Sequence, residues 1–275
     1  MQFNSYGFIL FFLPMIVLLY FGANRIKPLL GKIVLIAASV VFYAYGRMNM
    51  LIYLGISMLI NYCSALIIRK YVFRDKGLQA APQKTQGVSQ RKQELPKWLM
   101  ALPIAVNVCL LLYFKYMNFA ITNINLLLGK SFALKEIILP LGISFYTFQQ
   151  IAYIVATARG ELEDNNIIDY LAYILYFPKL VMGPIIDPVV FITQLNQESR
   201  KHINVNHIAA GVKIFSLGLI KKVLLADTFS KGAAWVYSNL DKATAMDCML
   251  LILFIPLKYI SISADTATWP SASHP

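Results

Sequence analysis

Apolar stretches long enough to form helices recur along the chain, with polar residues gathered between them. The first, GFILFFLPMIVLLYFGA (7–23), is followed by IVLIAASVVFYAYG (33–46) and MLIYLGISMLINYCSALII (50–68). At about 1.5 Å per residue the third reaches roughly 28 Å, enough to cross a hydrocarbon core. A polar interval at about 69–97, containing DKGLQAAPQKTQGVSQRKQELPK, interrupts the pattern. It has no apolar period and reads as a solvated loop. WLMALPIAVNVCLLLYF (98–114) then restores the pattern as a fourth span. The pattern predicts an all-α, polytopic membrane protein.

Beyond residue 114 the pattern loses its regularity. The stretch 115–137 carries Asn118, Asn123, Asn125, Lys130 and Lys135 and predicts an interfacial helix rather than a span. Residues 138–159 are apolar but include Ser144, Thr147, Gln149 and Gln150. Amides at membrane depth are costly unless they find partners or line a polar cavity. After the polar turn 159–166, the segment 167–186 embeds Pro178, Lys179, Gly183 and Pro184 among apolar residues. A straight spanning helix does not carry such a set, so a broken or re-entrant segment buried in protein is expected. Residues 191–222 read as an amphipathic surface helix, and the last apolar run is 248–260.

Composition supports lipid as part of the solvent. Hydrophobic residues make up 58% of the 275 and charged residues 14%, against about a quarter charged in an ordinary soluble domain. The net charge of +12 suggests nucleic acid only until its distribution is read. Eight of the 25 basic residues (Arg69, Lys70, Arg74, Lys76, Lys84, Arg91, Lys92 and Lys97) lie in the interval 69–97, as in a cytoplasmic loop. That loop puts the N-terminus outside, and no nucleic-acid partner is expected. No basic residue precedes Arg25, so the first run lacks the flank of a signal peptide. Cys63, Cys109 and Cys248 sit singly in apolar runs and read as small hydrophobes. His202 and His207 are five apart, off one helix face, and no metal site is expected. No HExxH, GxSxG, P-loop or GxGxxG motif is present.

Several unusual stretches occur in a recognisable order. They are the opening MQFNSYGFILFFLPMIVLLYF, LPLGISFYTFQQIAYIV (139–155) with RGE at 159–161, and DYLAYILYFPKLVMGPI (169–185) followed by F-x-x-QL at 191–195. Together they resemble the membrane-bound O-acyltransferase (MBOAT) family, in its bacterial alginate and polysaccharide O-acetylation branch. The departures are Ala156 and Ala158, where an acidic residue is common, and Asp187, where a basic one is. The resemblance implies a helical bundle with broken helices and a tunnel. It implies an acyl group, acetyl in this branch, taken from a cytoplasmic thioester donor (acetyl-CoA or an acyl carrier) to hydroxyls of an extracytoplasmic polysaccharide. No bound cofactor is implied. Exported acetyltransferase partner proteins, the lipids of the bacterial inner membrane and the polysaccharide acceptor are the implied partners. The tunnel reading selects Phe145, Gln149, Gln150, Lys179, Gly183 and Pro184 as walls or broken backbone. A transporter or flippase subunit and a non-catalytic scaffold are the alternatives. Intramembrane charge pairs and internal repeats, which a transporter favours, are not evident.

The family's catalytic histidine follows a signature like YFDFSGYSDMAIG, and no such signature stands in this chain. Codons permitted for residues 260–269 read in a shifted phase as FDFSGYSDMA, and those for 253–260 as LYTAQIY. The expectation is therefore an N-terminal half bundle over 1–252, with 253–275 translated out of frame and no catalytic residue present. Such a half bundle is expected to leave Gln149 and the 176–186 backbone uncovered. Coding DNA across codons 245–275 checks the phase. The shifted frame is expected to encode FDFSG, and any other sequence there removes the reading.

Overall fold

The computed structural model describes residues 5–45, 48–78, 96–162, 166–180, 183, 185–198, 201 and 203–267, and its regular elements are helices throughout. The chain is an all-α membrane protein. Among the described residues three helices are long and apolar enough to cross a bilayer, Phe8–Ile26, Met50–Val72 and Trp98–Leu128, beside a shorter apolar helix at Pro28–Ala44. The chain divides into two compact units, Met15–Lys201 and a second made of Gln2–Pro14 with His202–Pro275.

In the first unit, α1 (Leu13–Ile26) is followed by α2 (Pro28–Ala44) and α3 (Met50–Leu78). Pro28 stands at the first turn of α2, where its missing N–H has no intrahelical partner to lose. The helix α3 continues through the first ten residues of the interval read as loop; residues 79–95 lie outside the described residues. The helix α4 (Lys97–Leu128) corrects the expectation for 115–137. There is no separate interfacial helix, and the fourth span runs on to Leu128. Gly129, at φ 60°, ends it in the left-handed conformation that glycine adopts without strain. Residues 130–140 then return without regular secondary structure, and Gly142, at φ 72°, opens α5 (Ile143–Ala158).

Asparagines hold this returning arm to α4. Asn125 Nδ2 donates to the Phe132 carbonyl at 2.9 Å, and the Phe132 N–H donates to Asn125 Oδ1 at 2.8 Å. Asn118 pairs with both backbone groups of Lys135 in the same way, at 2.8 and 3.0 Å.

The unit continues with α6 (Ile167–Leu175), the short α7 (Phe177–Leu180) and α8 (Pro188–Asn196). Its core is aromatic, with Tyr43, Tyr146, Tyr153, Tyr170 and Tyr173 each at most 2% exposed. An ion pair between Lys32 of α2 and Asp169 of α6 lies buried beside it. Asn196 of α8 completes the group, accepting from Lys32 Nζ at 2.5 Å and donating to Asp169 Oδ2 at 3.2 Å. Three helices far apart in sequence thus meet at one charged contact.

In the second unit, α9 (Val205–Ile220) leads through a π-helical stretch, Lys221–Ala226, into α10 (Asp227–Ser238). The amphipathic helix expected over 191–222 is in fact two helices. Gln197 is extended after α8, and Asn204 caps α9 by accepting from Asn206 N–H at 3.0 Å. The last helix, α11 (Ala245–Ala267), starts in a capping box. Thr244 donates its N–H and Oγ1 to Asp247 Oδ2 at 2.9 and 2.7 Å, and Asp247 N–H returns to Thr244 Oγ1 at 3.3 Å. The helices α10 and α11 pack closely at Gly232, where a Cβ would stand 2.8 Å from the Phe254 ring.

Removing one partner of a buried ion pair leaves the other charge uncompensated, at a cost of about 3–5 kcal/mol. Asp169→Leu is therefore expected to lower stability by that order, and Lys32→Met with Asp169→Leu to recover most of it. Detergent-solubilised unfolding of both variants checks this. An additive double mutant would show that the pair is not coupled.

Candidate functional site

The site is built on one face of α5. Its entry is fixed by Tyr43 of α2, whose hydroxyl donates to the Leu141 carbonyl at 2.9 Å. At helical spacing, Tyr146, Gln150, Tyr153 and Thr157 line up toward the core, with Gln149 beside them. Gln149 and Gln150 are both 0% exposed. The expectation that a half bundle would leave Gln149 uncovered is therefore wrong. This chain's own fold encloses it.

Gln150 anchors a polar cluster between three helices. Its Oε1 accepts from Ser57 Oγ at 2.8 Å and from Asn61 Nδ2 at 2.9 Å, both on α3. Asn61 and Asn107 of α4 form a reciprocal amide pair. Asn61 Nδ2 donates to Asn107 Oδ1 at 3.1 Å, and Asn107 Nδ2 to Asn61 Oδ1 at 2.5 Å. Asn107 also donates to the Pro103 carbonyl at 2.8 Å, close to the proline inside α4. The cluster is incompletely satisfied. Gln150 Nε2, both polar atoms of Gln149 and the Tyr146 hydroxyl are buried without a hydrogen-bond partner among the described residues. Orphaned groups of this kind cost about 1–3 kcal/mol each. Four of the six such atoms among the described residues lie on neighbouring turns of α5.

The second candidate region is the break after α6. Tyr176 leaves helical geometry, at φ −48° and ψ 104°, and Pro178 restarts the chain in α7. The Phe177 N–H, freed by the break, donates to Ser39 Oγ of α2 at 3.2 Å, while Ser39 Oγ donates to Leu35 O at 2.7 Å. The Tyr173 hydroxyl donates to the Ile186 carbonyl at 2.8 Å. These bonds supply what a broken backbone at membrane depth requires. Lys179, 1% exposed, turns its ammonium onto two rings, 3.4 Å from the Tyr173 centroid and 4.5 Å from that of Phe191. No hydrogen-bond partner of its Nζ lies among the described residues. Aromatic faces offset part of the desolvation of such a cation. Gly183 packs so tightly that a Cβ would lie 2.2 Å from Lys179 Cα.

The two regions are joined through rings, since Tyr153 of α5 stacks on Tyr173 at 6.1 Å between centroids. Gln149 and Gln150 thus stand on one side of this contact, and Lys179 with Gly183 on the other. Phe145 is half-buried on the preceding turn of α5, and Pro184 lies outside the described residues. A groove of about 270 Å³ lies elsewhere, between α2, α3 and α6, and is lined by none of the six candidates. Of the histidines, His207 is exposed on α9, while His202 and His274 lie outside the described residues. Sequence reasoning missed Ser57, Asn61, Asn107 and the Lys32–Asp169 pair. Ser57, Asn61 and Asn107 are lone polar residues in apolar runs, and that was the available signal; the Lys32–Asp169 pair leaves none.

A bundle of spans with amides and a broken helix buried at membrane depth defines a polytopic membrane protein built around a polar interior. Residues 51–255 match the model of the membrane-bound O-acyltransferase family, MBOAT, and the chain belongs to that family. It is similar to the peptidoglycan O-acetyltransferase of Helicobacter pylori, 33% identical over 271 residues, covering 89% of this chain and 47% of that protein. It is also similar to proteins named "Probable alginate O-acetylase AlgI". The one from Pseudomonas aeruginosa is 34% identical over 236 residues, covering 84% of this chain and 41% of that protein. The one from Azotobacter vinelandii is 33% identical over 250 residues, with 89% and 45% covered. The chain spans somewhat less than half the length of these relatives.

Stability separates satisfied amides from orphaned ones. Gln150→Leu removes the acceptor of the Ser57 hydroxyl and one of the acceptors of Asn61 and is expected to cost about 1–3 kcal/mol, whereas Gln149→Leu is expected to be neutral or stabilising. Thermal unfolding in detergent checks the pair, and equal losses would contradict the assignment.

Proposed function

We propose that the chain forms part of an O-acyltransferase of the bacterial inner membrane, with its N-terminus outside. The enzyme moves an acetyl group from a cytoplasmic thioester, acetyl-CoA or an acyl carrier, to hydroxyls of an extracytoplasmic polysaccharide. Exported partner proteins assist the transfer. The observation that carries this reading is the buried, partly unsatisfied amide cluster on α5, in a chain about one third identical to O-acetylases.

The chemistry asks for a sealed passage. A hydroxyl oxygen attacks the thioester carbonyl, an ester forms and the thiol leaves, while a general base takes the hydroxyl proton. Water competes with the hydroxyl unless the site excludes it. Holding both reactants in one channel supplies the rest of the advantage through proximity. In this reading Phe145, Gln149 and Gln150 contribute wall. Lys179, Gly183 and Pro184 form the re-entrant turn that shapes it. The basic interval 69–97 faces the cytoplasm, the side of the anionic donor. The resemblance implies a base on a histidine that follows a signature these residues do not carry, and in this reading residues 1–275 alone do not transfer acyl groups.

Membranes containing residues 1–275 are expected to leave polysaccharide hydroxyls unacetylated when given labelled acetyl-CoA. Membranes containing the chain read through in the shifted phase from about codon 252 are expected to acetylate them. Lys179→Met is expected to abolish that transfer. Transfer by 1–275 alone, or none by the read-through chain, would contradict the proposal.

A further inference from the structure

The first turns of α5 and the break after α6 lie at one level of the first unit. Ser39 and Tyr43 stand one turn apart on α2. Ser39 Oγ accepts from the Phe177 N–H at 3.2 Å, and the Tyr43 hydroxyl donates to the Leu141 carbonyl at 2.9 Å, just ahead of α5. Rings give the same register from another side. Tyr153 of α5 packs on Tyr170 and Tyr173 of α6, at 4.7 and 6.1 Å between centroids. The helix α6 runs back along α5. One turn and two turns back from Tyr153, at Gln149 and Tyr146, therefore correspond to Tyr176 and Lys179 beyond Tyr173. Tyr146, Gln149 and Tyr153 share one stripe of α5, the stripe that meets α6.

Three side chains at that level are enclosed and unpartnered. Tyr146, Gln149 and Lys179 are each at most 1% exposed. The Tyr146 hydroxyl, both Gln149 polar atoms and Lys179 Nζ have no hydrogen-bond partner among the described residues. Lys179 adds a charge, and no carboxylate among the described residues pairs with it. Asp169 is bonded to Lys32 and Asn196. Asp187 is exposed and caps α8, accepting from the Val189 and Val190 N–H groups at 2.7 and 3.4 Å. The Tyr173 and Phe191 rings ease the desolvation of the ammonium but leave its charge in place. A buried charge stays costly until one of opposite sign reaches it. Enclosure sets the size of what can supply that charge. The chain's own fold already covers all three groups, so their partner is a small ion rather than another helix. Lys179 Nζ, Gln149 Nε2 and the Tyr146 hydroxyl are all donors, which suits an anion, and one ammonium suits a single negative charge.

We propose that Lys179, Gln149 and Tyr146 form a binding site for a small monoanion, of the size of acetate or chloride, at the break between α6 and α7. The site uses residues read above as wall of the passage. It rests on their burial and charge and not on acyl transfer.

The test is saturation-transfer NMR on the methyl protons of acetate, with the purified chain in detergent micelles. Acetate is expected to give a saturable signal, and acetamide, of the same shape but uncharged, none. Chloride is expected to displace acetate, and sulfate at equal ionic strength is not. Lys179→Met is expected to abolish the signal. Gln149→Leu and Tyr146→Phe each remove one donor and are expected to weaken acetate binding about fivefold. Thermal unfolding checks that the variants are folded, and if Lys179→Met is not, the other two decide. No saturable signal from the unaltered chain would overturn the proposal, as would equal binding of acetamide, which marks an uncharged polar site. Equal displacement by sulfate would place the acetate on an exposed basic surface and overturn it too. So would an acetate affinity that none of the three substitutions changes. Acyl transfer is not measured, so the enzymatic reading fails or stands separately.

Discussion

A polar group inside a bilayer has no water to fall back on, and this constraint organises the first unit. Every amide, hydroxyl and freed backbone N–H at membrane depth must find a partner within the protein or hold a bound molecule. Ser57, Asn61, Asn107 and the Gln150 carbonyl oxygen meet this demand by bonding to one another, which ties α3, α4 and α5 at a single level, while Gln150 Nε2 does not. Ser39 meets it for the broken helix, and the rings of Tyr173 and Phe191 meet part of it for Lys179. Gln149 and Tyr146 stand out because the fold encloses them and provides nothing. The place where the rule is broken falls within the stretch 139–155, one of those that resemble the O-acyltransferase family.

The same constraint explains which helices can end where. The helix α6 stops at Leu175 without exposing its successor because α2 supplies a hydroxyl at that point. The returning arm at 130–138 has no helix or strand to satisfy it, and two asparagine side chains stand in for a neighbouring backbone. A lysine and an aspartate, 137 residues apart, join α2 to α6 and bring α8 with them.

Much of this was legible in the sequence, and the rest was hidden for identifiable reasons. Apolar runs gave the spans at 50–68 and 98–114, and Pro178 with Gly183 gave the break. The amides Gln149 and Gln150 drew notice because they stand as a pair. Ser57, Asn61 and Asn107 did not, since single polar residues in a span are common and their meeting depends on helix register. Asn118 and Asn125 misled, because their polarity argued against a continuing helix when they were partners for a chain segment folding back. The Lys32–Asp169 contact has no local trace at all. The resemblance to O-acyltransferases supplied what neither periodicity nor composition could, the family.

The central claim is that α3, α4 and α5 meet at mid-membrane through Asn61, Asn107 and Gln150. Oxidative cross-linking of paired cysteines in native membranes tests it most directly, in the background of Cys63→Ala, Cys109→Ala and Cys248→Ala. Asn61→Cys with Asn107→Cys, and Asn61→Cys with Gln150→Cys, are each expected to form an intramolecular disulfide, while Asn61→Cys with Asn118→Cys is not. Absence of the first two cross-links, or formation of the third, would show that the helices do not share this level and would remove the basis for the buried polar site.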